Sequence, residues 1–77
     1  MATTKANIPV TETWTKVLEE EGFITSTGSV RFAYGATTPT VSGGSVPANT
    51  QINNDSSSTL WVKSLNSTVI VTPHTLA

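Results

Sequence analysis

The chain has 77 residues, a net charge of −1, a single histidine and no cysteine. At this length it holds one domain at most; without cysteine it has no disulfide or thiolate metal site, and His74 alone makes no imidazole cluster. A domain this small buries only about 60% of the surface its unfolded chain exposes, so of the usual staples a partner subunit or a larger body to dock on remains.

The four basic residues, Lys5, Lys16, Arg31 and Lys63, are scattered along the sequence. Nucleic-acid binding needs clustered cations that replace counterions on phosphates, so no nucleic-acid partner is expected. No apolar run approaches the ~20 residues of a membrane span, and no membrane partner is expected either. Residues 1–7 lack the apolar core of a signal peptide, which leads us to expect synthesis in a cytoplasm. Serine and threonine are abundant, but they alternate with Val, Ile, Phe and Trp in strand-like blocks. That pattern favours a β-rich fold over a mucin-like stalk.

In chain order, residues 1–9 are polar and end in Ile8-Pro9. They read as an extended N-terminal arm that either frays or orders on a neighbouring subunit. Residues 10–18 alternate, with Trp14, Lys16 and Leu18 on one face and Thr13, Thr15 and Val17 on the other. A strand is expected there, with a short helix over 12–21, capped by Thr11, as the competing reading. Glu19-Glu20-Glu21 is the only charge cluster, and it should be solvated. Phe23–Thr27 and Ser29–Tyr34 are strands around a Thr27-Gly28-Ser29 turn, and together they suggest a hairpin. Residues 35–49 carry Pro39, Gly43-Gly44 and Pro47 and read as a long loop, either a crossover between sheets or a binding loop. Residues 50–52 suit a short edge strand, and Asn53-Asn54-Asp55-Ser56 has turn chemistry. Two β-favouring runs, Ser58–Leu65 and Thr68–Thr72, flank Asn66-Ser67 and suggest a closing hairpin, ended by Pro73. Residues 74–77 are then a tail, and residues 10–73 form the domain. The expected architecture is all-β: a small antiparallel β-sandwich or partly open barrel of about six or seven short strands.

Little in this sequence carries chemistry. The acids are Glu12, the Glu19–Glu21 run and Asp55, and neighbouring residues on an extended chain point to opposite faces. Gly43-Gly44-Ser45 lacks the ending of a phosphate loop, and Asn53-Asn54-Asp55 lacks the acidic spacing of a calcium loop. No enzymatic activity and no cofactor is expected. Trp14, Phe23, Phe32, Tyr34 and Trp61 are few enough for one small core. Trp61 faces away from Leu60 and Val62, so it is exposed or covered by a neighbour.

The overall pattern resembles small virion proteins of tailed bacteriophages. The residues that carry the likeness are the polar N-terminal stub, the segment around Trp14, the Pro39–Ala48 loop, and Leu60-Trp61-Val62-Lys63-Ser64 followed by Val69-Ile70-Val71. The resemblance implies a non-enzymatic β-domain bound to a symmetric shell, a capsid decoration or cement protein or a head or tail accessory, often trimeric. Expected partners are its own copies and a capsid or tail protein, and the mature location is the virion. The expected contact residues are Ile8 and Pro9 of the arm, Trp14, Trp61, and Val41 and Val46 of the loop. The alternative is a carbohydrate- or host-surface-binding module of a fibre or capsid surface, with the 35–49 loop and an exposed aromatic as its site.

Overall fold

A computed structural model describes residues 3–40, 43–65 and 67–75. Among them the chain forms nine strands and no helix, so the helical alternative over 12–21 does not occur. The strands are β1 (Thr3–Thr4), β2 (Ile8–Val10), β3 (Thr15–Leu18), β4 (Gly22–Ser26), β5 (Val30–Tyr34), β6 (Gly44–Val46), β7 (Ile52–Asn54), β8 (Leu60–Ser64) and β9 (Val69–Thr75). They make two antiparallel sheets packed as a sandwich. The first runs β1-β9-β4-β7, with β2 also paired to β9; the second runs β3-β8-β5-β6.

The alternation read from the sequence sets what each sheet buries. Leu60, Val62 and Ser64 of β8 point inward, as do Val69, Val71, Pro73 and Thr75 of β9. Ile24, Val10, Val17, Leu18, Val30 and Ile52 complete an aliphatic core. None of the five aromatic residues belongs to it, contrary to the expected aromatic core. Two thin sheets this short close over branched aliphatic side chains; Phe32 packs against that core half-buried, and the other four rings are left to cover the outside and the edges.

Both expected hairpins are absent. β4 and β5 lie in different sheets, and so do β8 and β9. The links are short enough for a turn, but four extended residue steps also reach about 13 Å, enough to cross the roughly 10 Å between stacked sheets. The crossing after β4 is tied to β9: the Thr27 amide donates to the Ile70 carbonyl at 3.0 Å, and the Ile70 amide donates to Thr27 Oγ1 at 3.1 Å. The single strand expected over 10–18 is likewise split. Val10 ends β2 in one sheet and Thr15 begins β3 in the other. A register shift between Lys16 and Leu18 then turns both Val17 and Leu18 inward, where strict alternation had separated them.

The N-terminal residues are extended, as expected, but they are paired within their own chain. Thr3–Thr4 and Ile8–Val10 run antiparallel along β9, which brings the strand count above six or seven. Pro73 does not end β9, and His74 and Thr75 are strand rather than tail. The chain tolerates this proline because the edge strand breaks opposite it. The Lys5 amide donates to the Pro73 carbonyl at 2.9 Å, so the face of Pro73 that lacks an N–H also looks toward residues 5–7, between β1 and β2. The Thr72 hydroxyl donates to Asn7 Oδ1 at 2.8 Å and holds the break in place.

Gly22 sits between Thr75 of β9 and Asn54 of β7. A Cβ there would collide with the His74 carbonyl oxygen. Gly22→Ala is expected to lower stability by about 1–3 kcal/mol through this overpacking, read from the urea midpoint of unfolding; an unchanged midpoint would mean that β4 and β9 are not so closely paired.

Candidate functional site

Two surfaces carry chemistry. The first is the outer face of the β3-β8-β5-β6 sheet. Leu60, Val62 and Ser64 are buried, so Trp61 and Lys63 occupy the opposite face of β8. The registers Lys16↔Trp61, Ala33↔Trp61 and Arg31↔Lys63 place these five side chains side by side. Trp14, just before β3, lies across them, with the Lys63 ammonium 4.9 Å from its ring centroid. The far edge of that ring reaches Gly43, which has φ +73° and no room for a Cβ beneath the Phe32 carbonyl. Three of the four cations, scattered in sequence, thus share one face with both tryptophans. Lys16 also meets Glu19 at 3.4 Å, on exposed surface, where such pairs contribute little.

Among the expected contact residues, Trp14 and Trp61 therefore come together, both half-buried. The Trp61 indole N–H donates to the Gly35 carbonyl at 2.8 Å, which fixes the ring against its own sheet. Ile8 and Val46 are half-buried and pack against the core from opposite sheets. Pro9 is exposed on β2, at the open edge of the first sheet. Val41 lies outside the described residues. The loop between β5 and β7 is neither a plain crossover nor wholly irregular, since β6 within it pairs back onto β5.

The second surface is an open cleft of about 740 Å³ at the β7 edge of the first sheet. Its aromatic walls are Phe23 of β4 and Tyr34 at the end of β5. His74 stacks on Phe23 with centroids 4.6 Å apart and planes 17° from parallel. The Tyr34 hydroxyl donates to the Asn53 carbonyl and ties the two sheets together at this end. Tyr34 is nonetheless 48% exposed. Burial, and then the charge of Asp55, push its phenol pKa above the ordinary value.

Polar groups line the rest. Gln51 Nε2 donates to Asn53 Oδ1 at 2.9 Å. Asp55 accepts from the Ser57 amide at 2.9 Å and from its hydroxyl at 3.1 Å. A bond from the Ser58 hydroxyl, then those from Ser57, hold its carboxyl below the usual carboxylate range. Buried Asn54 spends both hydrogens of its Nδ2 on backbone carbonyls, Glu20 at 2.9 Å and Ser58 at 2.8 Å. These two acceptors fix which end of the amide is nitrogen. Asn54 Oδ1 is left as the buried side-chain atom without a hydrogen-bond partner among the described residues.

Sequence reasoning passed over this cleft. Its residues come from five separate segments, and Asn53 and Asn54, expected in a turn, instead belong to strand β7. In the comparison with known proteins, no family model, no curated protein and no solved structure matches the chain.

Two outcomes follow from this geometry. Asn54→Ala strips the carbonyls of Glu20 and Ser58 of their donors and is expected to destabilise the fold by about 1–3 kcal/mol, measured by chemical denaturation. Because the folded pKa of Asp55 is depressed, its serine bonds contribute stability above the unfolded pKa, and that contribution is lost as pH falls through the lower folded value. A carboxyl NMR titration should place the Asp55 midpoint below that of an unstructured aspartate, and Ser58→Ala should move it back up; coincident midpoints in both proteins would contradict the hydrogen-bond account.

Proposed function

We propose that this chain is a non-enzymatic structural protein of a tailed-bacteriophage virion, decorating or cementing the capsid or serving as a head or tail accessory. In this reading it is made in the host cytoplasm and ends in the particle, with copies of itself and a capsid or tail protein as partners. The observation that carries the reading is the outer face of the β3-β8-β5-β6 sheet. It holds Trp14, Trp61 and Ala33 at its centre and Lys16, Arg31 and Lys63 around them. Tryptophan and arginine are the residue types that anchor protein interfaces, and the clustered cations favour an acidic partner surface.

The reading assigns the N-terminal residues a different part from a free tether. Residues 3–10 already cover the β9 edge of their own sheet. Pro9, exposed on the far side of that edge, discourages a further strand from adding there. Contact through a sheet face is therefore favoured over strand exchange.

The test is co-sedimentation of the purified chain with particles of the bacteriophage whose genome encodes it, together with mass spectrometry of purified virions. Saturable binding at a fixed copy number is expected, and Trp61→Ala with Arg31→Glu should reduce occupancy while leaving the melting temperature of the free protein within a few degrees. Absence of the chain from purified virions would overturn the proposal. Light scattering across a dilution series then separates a closed oligomer, whose melting temperature falls with dilution, from a monomer that docks alone.

A further inference from the structure

The cleft beside β7 plays no part in that docking, and its chemistry points to a ligand. We propose that it is a binding site for a neutral oligosaccharide, with the ring faces of Phe23 and Tyr34 as its platforms and Gln51, Asn53 and Asp55 as its hydroxyl-reading groups.

The aromatic walls come first. A sugar ring presents a face of C–H bonds edged by hydroxyls, and that face packs on the electron-rich face of an aromatic ring. His74 holds the Phe23 ring from one side. The other side of the ring looks toward β7 and the cleft, which Asn53 lines beside it. Tyr34 is anchored through its hydroxyl to the Asn53 carbonyl, so both platforms are set before a ligand arrives. Preorganisation of this kind lowers the ordering cost of binding.

The polar groups match hydroxyls in number and kind. The bond between Gln51 and Asn53 uses one end of each amide, leaving Gln51 Oε1 as an acceptor and the Asn53 amide hydrogens as donors. Asp55 is an acceptor while ionised.

Charge selects among polar ligands. The ionisable lining residues are Glu21, Tyr34 and Asp55, with no cation among them. A phosphorylated, sulfated or sialylated ligand would meet like charge without a counter-ion. A volume of about 740 Å³ falls within the range of small-molecule sites. The proposal stands apart from the virion reading: the cleft and the tryptophan face share no residue.

The test is an amide NMR titration of the full chain with neutral trisaccharides of the glucose, galactose, mannose and N-acetylglucosamine series, with sialyllactose as the acidic counterpart. At least one neutral trisaccharide is expected to give saturable shifts clustered at Phe23, Tyr34, Gln51 and Asn53. Gln51→Ala, at an exposed position, should keep the folded spectrum and weaken binding about tenfold, the size of one lost hydrogen bond. Tyr34→Ala should weaken it further, with folding checked by the same spectrum. Failure of every neutral sugar to shift these amides, shifts centred elsewhere, equal binding of sialyllactose, or a Gln51→Ala protein that binds unchanged would each overturn the proposal.

Discussion

Everything in this fold depends on β9. It pairs with β1 and β2 on one side and β4 on the other, and its inward residues Val69, Val71 and Pro73 form the floor of the core. The first sheet has no other route for joining the N-terminal residues to the rest. The second sheet then has to bury the opposite side of the same aliphatic layer, which β8 does with Leu60 and Val62. A core made of branched aliphatic side chains is thin; Phe32 packs against it from β5, while Trp14, Phe23, Tyr34 and Trp61 are left at outer faces and edges, where they are available for contact.

The same constraint produces both surfaces. On the outside of the second sheet, strand registers gather Trp14, Trp61 and three cations that are far apart in the sequence. At the β7 edge the sandwich is left open, and Tyr34 reaches across from the other sheet to close part of the gap. The two surfaces differ in electrostatic sign, cationic on one and acidic on the other, although the whole chain is nearly neutral. Net charge is a poor guide to what so small a protein presents locally.

Period-two alternation made β5, β8 and most of β9 legible in the sequence, because each buries one face against the other sheet. It could not tell which sheet a strand joins. The three residues between Ser26 and Val30 suit a turn as well as a crossing, and only the competition for β9 decides between them. Pro73 read as a stop because a proline forfeits a ladder bond; the compensating break at residues 5–7 lies at the other end of the chain. Of the candidate contacts, Trp61 was legible from its position out of phase with Leu60 and Val62; Trp14, in phase with Leu18 in the sequence, reaches the outer face only because it lies before β3. The cleft was not, because Phe23, Tyr34, Gln51, Asn54 and Asp55 converge only through tertiary structure.

The pairing of residues 3–10 with β9 also orders events in time. Residues 3–10 find their partner only when the strand through Thr75, far later in the sequence, has been made. Until then the inner faces of β2, β4 and β8 have nothing complete to pack on, and nearly every pairing in the sandwich joins distant parts of the sequence. Such topologies fold slowly and all at once. Folding of this sandwich therefore waits until β9 has been made. Any partner that recognises the finished tryptophan face meets only molecules that have already passed that test of completeness.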